Sequence, residues 1–329
     1  MRAPDNPAPA SPVPMTDRAP SSRPLNWAVL DAVEAAAQTL WPKRLHGAVG
    51  WLFLMPALLL VGVLLIGLGA MLGQSLHELN IATYRLKPEY SLANYAAFFE
   101  KPVYLRVLWR TLLASVIVTA VTLFLAFPYA YLLVRSRSAA LRKFLLVALF
   151  LPFFIGQVVR AYGWLIILGK EGLINTGLKA LGLPALDLIY NYPSVVFGLI
   201  QYMLPFAVLL IVPALAAIGE EVEMASESLG ASWIATFRHV LLPMAKPGLI
   251  GAGVVVFTLT MTDFAMPEIL GGGTTDFIAS AIYDSFFQIS NPGLGSALSI
   301  ILVVLGSVLV GVVFYAAGTG TLGIRGAAK

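Results

Sequence analysis

The sequence predicts an all-α membrane protein with six transmembrane helices. Hydrophobic residues make up 59% of the 329 residues and charged residues only 12%, and soluble domains carry about twice that share of charge. Apolar runs recur along the chain, each close to the ~20 residues that an α-helix needs to cross the hydrocarbon core of a bilayer. The lipid bilayer is therefore the expected environment of most of the chain.

Two segments precede the first apolar run. Residues 1–24 are rich in Pro, Ala and Ser without an apolar run, which predicts a disordered tail. In residues 25–45, apolar side chains from Trp27 to Leu40 recur at helical spacing, which predicts an amphipathic helix. This helix would lie either on the membrane surface or against the flank of the helix bundle, and the sequence leaves both interpretations open.

The transmembrane domain is predicted over residues 46–320, and residues 321–329 form a short C-terminal tail. The six predicted spans are 48–74, 107–134, 144–168, 194–217, 247–270 and 295–318. An even number of spans places both termini on one side of the membrane. That side holds thirteen lysines and arginines against seven on the other, so the positive-inside rule predicts that both termini and the 218–246 loop are cytoplasmic.

The 218–246 loop is the longest strongly polar stretch between two predicted spans. Val222, Ala225 and Leu229 recur at the spacing that places them on one face of a short helix. Gly230 then offers a break in the helix. The sequence therefore predicts a helix that ends in a glycine bend.

A second apolar stripe follows the bend. Trp233, Phe237 and Val240 share a helical face, and Pro243 is predicted to end that helix. An apolar edge on an extramembrane loop is typical of a surface that docks into a groove on another protein. The alternative is that the stripe packs against the bundle of the chain itself, and periodicity alone does not decide between the two.

The same loop carries a family resemblance. The run Ala225-Ser-Glu-Ser-Leu-Gly230-Ala231-Ser, followed by Leu241-Leu242-Pro243, resembles the EAA loop of ABC importer permeases, the coupling helix that docks on the ATPase subunit. Met224 stands where the family usually has Glu, and Glu223 and Glu221 both lie close enough in sequence to supply the acidic contact instead. Glu223 is the residue expected to do so. The residues expected to couple this chain to an ATPase are Glu223, Ala225, Leu229, Gly230, Ala231, Trp233, Phe237 and Pro243.

Three ionisable residues lie in or near predicted spans, where they are costly and are functional candidates. Asp263 is expected to line a transport pathway, and Glu268 to contact a partner or gate. Glu268 follows Asp263 by five residues, so on an ideal helix the two carboxylates would point about 140° apart. Pro267 lies between them and would kink the helix. The alternatives are an internal salt bridge between Asp263 and Arg160, or an Arg160 side chain that reaches the membrane interface.

A second resemblance surrounds these residues. Asp263-Phe-Ala-Met-Pro267-Glu268-Ile-Leu-Gly271-Gly272 is similar to the fifth-helix motif of polyamine-type permeases, and Arg160-Ala-Tyr162-Gly-Trp164 is similar to their third-helix region. The resemblance implies putrescine or spermidine as substrate, with ammonium groups that meet carboxylates and aromatic faces. The expected pathway residues are Asp263, Tyr162, Trp164, Glu268 and Arg160. Importers of opines or amino-acid-like compounds, aminoalkylphosphonates, thiamine and ferric iron share a looser motif and remain alternatives.

No enzyme signature occurs in the sequence. There is no G-x-x-x-x-G-K-[ST] phosphate loop, no H-E-x-x-H pair and no cysteine, so no catalytic residue, metal site or cofactor is expected in this chain. The basic residues form no stripe that would follow a nucleic acid.

The importer resemblance also implies partners and a location. They are a second homologous permease, two ATPase subunits that bind ATP and Mg, and a periplasmic or extracellular substrate-binding protein, assembled in the bacterial inner membrane. The competing class is an ion-coupled secondary transporter that would use Asp263 as its titrating group. That class leaves the apolar stripes of the 218–246 loop without a purpose.

Overall fold

A computed structural model describes residues 46–317. The predicted tails, 1–24 and 321–329, and the predicted amphipathic helix, 25–45, lie outside the described residues. Residues up to Gly67 and residues from Leu68 onward form two units, and each is considered by itself.

The described residues are mostly helical. The α-helices are α1 (His46–Ser75), α2 (Ala93–Glu100), α3 (Pro102–Arg135), α4 (Ala139–Phe150), α5 (Gln157–Leu168), α6 (Leu173–Ala180), α7 (Tyr192–Ala216), α8 (Glu220–Ser228), α9 (Trp233–Thr236), α10 (Leu242–Met261), α11 (Ala265–Gly271), α12 (Ile278–Tyr283) and α13 (Pro292–Ala317). The π-helical segments Phe237–Leu241 and Asp284–Gln288 continue α9 and α12. Strands β1 (His77–Asn80) and β2 (Arg85–Tyr90) pair antiparallel.

Five helical runs among the described residues are long and apolar enough to cross a membrane. They are Phe53–Ser75, Pro102–Arg135, Tyr192–Ala216, Trp233–Met261 and Pro292–Ala317. These runs correspond to the first, second, fourth, fifth and sixth predicted spans. The predicted all-α membrane architecture is confirmed, with one small hairpin that the sequence pattern does not predict.

The third predicted span is not one helix. Helix α4 ends at Phe150, α5 begins at Gln157, and residues 151–156 form a turn between them. The prediction of a continuous helix over 144–168 is wrong because Pro152 has no N–H for the carbonyl four residues before it and Gly156, with a ψ of 146°, leaves the helical conformation. Each half-helix has twelve residues, fewer than the ~20 that a spanning helix needs.

The fifth predicted span is also interrupted. Helix α10 ends at Met261, residues 262–264 are not helical, and α11 begins at Ala265. The interruption follows from Pro267, because a proline has no N–H for the carbonyl four residues before it and its ring collides with that carbonyl. The carbonyl concerned is that of Asp263, so the break lies upstream of the proline.

Pro243 does not end the second helix of the 218–246 loop, and that prediction is wrong. The helical run continues from Trp233 to Met261. The π-helical segment Phe237–Leu241 ends two residues before the proline, and the N–H of Leu242 donates to the carbonyl of Phe237. A π turn is wider than an α turn, which relieves the contact between the proline ring and the preceding carbonyls.

The first unit contributes the beginning of α1. Its side chains from Phe53 to Ile66 are almost all exposed and apolar. A helix that is apolar on all sides is suited to lipid or to an apolar partner.

In the second unit, α3, α7 and α10 pack against one another and form the main core. Alanines occupy many of the fully buried positions, among them Ala114, Ala126, Ala207 and Ala252. Small residues let helix backbones approach closely, which is how helices associate in a bilayer. A second cluster joins α13 to α2 and α12.

The β1–β2 hairpin is attached to the start of α2 through Asn94. Its side-chain amide donates to the carbonyls of Ser75 at 3.0 Å and His77 at 2.9 Å. Asn94 is buried, so this contact fixes the end of α1, the hairpin and α2 together.

Helix α3 connects two distant parts of the second unit. At its last residue, Arg135 contacts Glu223 of the 218–246 loop. Near its first turns, Arg110 donates to the carbonyl of Thr274 at 3.1 Å, beside the glycine turn Gly271–Gly273. With 34 residues at 1.5 Å each, α3 is about 51 Å long. We call its two ends the loop end and the glycine-turn end.

Replacement of Gly248 by alanine should destabilise the bundle. A Cβ at Gly248 would overlap the Cβ of Ala214 on α7, and a methyl group fixed to the backbone cannot turn away. We expect Gly248→Ala to cost about 1–3 kcal/mol, measured as a lower thermal unfolding midpoint of the purified protein in detergent. Gly251→Ala, on the same helix with no atom near its Cβ, is the control. Equal losses in both variants would contradict the proposed close approach.

Candidate functional site

Asp263 lies in the break between α10 and α11 and is only 7% exposed. Its Oδ1 accepts a hydrogen bond from the backbone N–H of Met266 at 3.0 Å, and its Oδ2 accepts one from the side-chain amide of Gln157. The carboxylate therefore caps the first turn of α11 and joins it to the first residue of α5.

Arg160 lies on α5 and is also 7% exposed. Its Nη2 donates to the carbonyl of Pro152 and, at 3.0 Å, to that of Ile155. The guanidinium carbon is 5.3 Å from the ring centroid of Tyr202, within the range of a cation–π contact. Arg160 therefore binds the backbone of the turn before its own helix rather than extending to a membrane interface.

Asp263 and Arg160 do not pair with each other. Within the part of the chain that the structure describes, no ion pair joins them, and each has the separate partners given above. Tyr202 lies within electrostatic range of both. The structure thus places the two charges in one region but does not show the internal salt bridge considered as an alternative.

The two aromatic residues expected in the pathway have different positions. The ring of Trp164 meets Phe197 edge to face, with centroids 4.7 Å apart, and its Nε1 is 3.4 Å from Oε1 of Gln201. Tyr162 is 54% exposed. It follows Arg160 by two residues, which places its side chain about 200° around the helix from that of Arg160. Trp164 therefore packs against α7, whereas Tyr162 is exposed on a different face of α5 from Arg160.

Glu268 lies on α11, partly buried, beyond the break that contains Asp263. The predicted angle of about 140° assumed one ideal helix, so it does not apply here. Glu268 lies within electrostatic range of Asp276 and Asp284. It therefore belongs to an acidic group near the glycine-turn end and is separate from the Asp263 cluster.

The glycine turn that follows Glu268 is fixed by Tyr190. The N–H of Tyr190 donates to the carbonyl of Leu270 at 2.8 Å, and the hydroxyl of Thr274 donates to the carbonyl of Tyr190 at 3.1 Å. Gly272 has a φ of +55°, and a Cβ there would overlap the Tyr190 ring. Only glycine satisfies both conditions.

The 218–246 loop has the predicted order of helix, glycine bend and helix. Gly230 has a φ of +82°. The N–H of Gly230 donates to the carbonyl of Glu227 at 2.9 Å and that of Ala231 to Ser226 at 3.1 Å, the Schellman pattern of a helix end. The hydroxyl of Ser226, which stands where the importer family has alanine, is 2.9 Å from that of Thr236. This bond joins the two helices of the loop.

The apolar residues of the loop divide between the core and the surface. Val222 and Phe237 pack against the core. Trp233 stacks on Phe237 with centroids 5.6 Å apart and meets Tyr131 edge to face, yet more than half of it is exposed. We define the outer loop surface by the large exposed apolar side chains on both sides of the Gly230 bend, which are Met224, Leu229, Trp233 and Ile234.

Glu223 has partners within this chain. Its Oε1 accepts from Nε of Arg135 at 2.6 Å, and its Oε2 accepts from the hydroxyl of Tyr131 at 2.8 Å. Nη2 of Arg135 also donates to the carbonyl of Ile218 at 2.7 Å. The acid expected to contact an ATPase therefore points toward α3.

Several residues of these clusters were not candidates from sequence alone. Gln157 and Gln201 are uncharged polar residues in apolar runs, and such residues hydrogen-bond across helices in membranes. Their position in the sequence could therefore have predicted contacts between helices. Tyr202 and the Arg135–Glu223 contact carry no comparable local signal, because Arg135 reads as part of a short basic turn.

A double-mutant cycle tests the separation of the two buried charges. Arg160→Met leaves the carbonyls of Pro152 and Ile155 without their donor, at a cost of about 1–3 kcal/mol each. Asp263→Asn keeps an acceptor for the N–H of Met266 and should cost less. Because the two side chains share no hydrogen-bond partner, the effects on the free energy of unfolding should add within about 0.5 kcal/mol. Rescue of Asp263→Asn by Arg160→Met would instead show that they form a pair.

Comparison with known proteins identifies the family. Residues 119–317 match the family described as "Binding-protein-dependent transport system inner membrane component". The inner membrane ABC transporter permease protein YdcU of Escherichia coli K12 is 32% identical over 269 residues, which cover 78% of this chain and 85% of that protein. The spermidine/putrescine transport system permease protein PotB of Haemophilus influenzae is 30% identical over 228 residues, covering 69% and 79%.

A solved structure supports the same architecture. A chain of a bacterial ABC transporter involved in the import of the acidic polysaccharide alginate aligns with a TM-score of 0.66 and 20% identity, over 84% of this chain and 98% of that one. At this identity the similarity concerns the fold alone. The family match and the relatives decide the classification: this chain belongs to the inner membrane components of binding-protein-dependent transport systems, as a multi-pass permease subunit of an ABC importer.

Proposed function

We propose that this chain, with a second homologous permease, forms the translocation pathway for a small organic cation of the polyamine class, such as putrescine or spermidine. The observation that carries this proposal is the 30% identity to a permease named for spermidine and putrescine over 228 residues. Relatives with the same name from Salmonella and Escherichia coli are 28–29% identical over 262 residues. The site chemistry supports the same class of substrate.

Asp263 has capacity for a cationic ligand beyond its internal contacts. A carboxylate has about four lone-pair positions, and Asp263 accepts two hydrogen bonds from this chain. An ammonium group would add a charge-assisted bond. Glu268 would meet the substrate nearer the glycine-turn end, Trp164 and Tyr162 would offer aromatic faces, and Arg160 would hold the turn that shapes the site.

The outer loop surface is the proposed docking site for an ATPase subunit. Leu229 is 89% exposed, and Ile234, on the helix after the Gly230 bend, is a second exposed apolar side chain. Exposed apolar groups on an extramembrane loop are typical of a protein interface. Gly230 and the Ser226–Thr236 bond would hold this surface in shape, with Ala225, Ala231, Phe237 and Pro243 as its supporting residues.

Energy would come from two ATPase subunits that bind ATP and Mg and dock on this permease and its partner. Closure of the ATPase pair would move the loops and shift the bundle between two conformations. An ion-coupled carrier is a poorer alternative because it gives the outer loop surface no function and does not agree with the family.

The charge distribution supports an orientation for the chain. Thirteen lysines and arginines lie on the side of the termini and the 218–246 loop, against seven on the other side, and this excess favours a cytoplasmic location of the termini and the loop end. The glycine-turn end would then face a periplasmic substrate-binding protein that delivers the cation.

Substrate class is tested on the binding protein that supplies this importer. Calorimetry should show binding of putrescine or spermidine and no binding of opines, aminoalkylphosphonates, thiamine or ferric iron. In the reconstituted complex, Asp263→Asn should lower polyamine uptake about tenfold or more. A tenfold effect corresponds to a loss of ~1.4 kcal/mol in the free energy of binding the transported cation. Asp187→Asn, an exposed acid, is the control. Binding of one of the other ligands in place of polyamines would refute the proposed substrate.

ATPase docking is tested by a charge on the outer loop surface. Leu229→Asp or Ile234→Asp should reduce the amount of ATPase that copurifies at least tenfold, because an unpaired carboxylate in an apolar interface costs several kcal/mol. Leu181→Asp places the same charge at an exposed leucine far along the chain and should leave copurification unchanged. Undiminished copurification of both loop variants would exclude this surface as the docking site.

A further inference from the structure

We propose that Glu223, Arg135 and Tyr131 form a latch that transmits the movement of the 218–246 loop to α3, an inference that rests on the proposed docking of an ATPase on that loop. In this assignment Glu223 is a positioning residue inside the permease and does not contact the ATPase.

The latch connects α8 to the last residue of α3 at two points. Arg135 donates through Nε to Glu223 at 2.6 Å and through Nη2 to the carbonyl of Ile218 at 2.7 Å. Ile218 precedes α8 and Glu223 lies within it, so one guanidinium holds both the entry and the body of the helix. Tyr131, one turn earlier on α3, donates to the second carboxylate oxygen at 2.8 Å.

The environment of the latch makes it stronger than the surface ion pairs of this chain. Arg135 and Glu223 are each 15% exposed, whereas Lys170 and Asp187, which also pair, are 76% and 82% exposed. Exposed pairs contribute little because water and salt screen them, and partly buried pairs with several hydrogen bonds are screened much less. The loop is therefore held to α3 while the rest of its surface is free to bind.

Helix α3 carries the connection to the other end of the molecule. Near its beginning, the hydroxyl of Thr111 accepts a hydrogen bond from the buried N–H of Ile278 at 3.0 Å, and Arg110 donates to the carbonyl of Thr274. Both partners follow the glycine turn and the α11 helix that carries Glu268. A displacement of the loop that moves α3 thus reaches the segment beside the proposed pathway through these two hydrogen bonds and the packing of α3 against α12.

This arrangement separates two roles within the loop. Leu229 and Ile234 point outward and would bind the ATPase, while the Glu223 carboxylate points inward. Loss of the latch should therefore leave the ATPase bound but disconnect its movement from α3. A docking contact at Glu223 makes the opposite prediction.

The experiment measures the distance between loop and α3 in the assembled complex. The chain has no cysteine, so spin labels at Ser228→Cys on α8 and Arg137→Cys just after α3 report this distance specifically when the partner subunits are cysteine-free. With the latch intact, the distance distribution should be narrow and the same with and without ATP. Glu223→Gln should broaden it and make it depend on ATP, and Tyr131→Phe, which removes one donor, should have a smaller effect in the same direction.

Glu221→Gln, on the same helix with an exposed side chain, is the matched control and should leave the distribution unchanged. Glu223→Gln should also copurify the ATPase in normal amounts while transport per ATP hydrolysed falls about fivefold or more, the range of ordinary coupling effects. Unchanged distances in both latch variants, or reduced copurification in Glu223→Gln, would overturn the proposal. The distance measurement requires no substrate, so its result does not depend on whether the polyamine assignment is correct.

Discussion

Backbone groups that leave a helix inside a bilayer must find partners within the protein, because lipid offers none. This chain meets that constraint at two places, the turn between α4 and α5 and the break between α10 and α11. Arg160 donates to two carbonyls of the first, and Asp263 accepts from the N–H of Met266 in the first turn of the helix after the second. Arg160 and Asp263, which the sequence predicts as transport residues, therefore also stabilise the interrupted helices.

The structural and transport roles are compatible because the same geometry serves both. An interrupted helix exposes polar backbone ends near the middle of a membrane, and transporters often place substrate sites at such interruptions. Gln157 joins the two breaks by bonding to Asp263 from the first turn of α5. A substrate that binds beside Asp263 would consequently be sensed by both half-helices.

Hydropathy and glycine positions predict most of the fold, because both act locally. The long spans and the bend at Gly230 follow from them. The break in the third span does not, since hydropathy measures composition and is indifferent to the hydrogen bonds that Pro152 removes. Pro243 and Pro267 show why proline is a poor boundary marker: a π turn accommodates one, and the other interrupts the helix four residues upstream. The partners of Glu223 lie 88 and 92 residues away, beyond any local pattern.

The π-helical segment Phe237–Leu241 has a consequence for how this loop compares with its relatives. A π turn is equivalent to one extra residue inserted into an α-helix, and one residue corresponds to about 100° of rotation. The wider turn takes up the extra residue, so deletion of one residue there would restore a plain α-helix and leave Trp233 and Ile234 on the same side relative to α10. A relative that lacks the residue would therefore present the same side of its loop, whereas a one-residue gap in an ordinary α turn would rotate the loop surface by that angle.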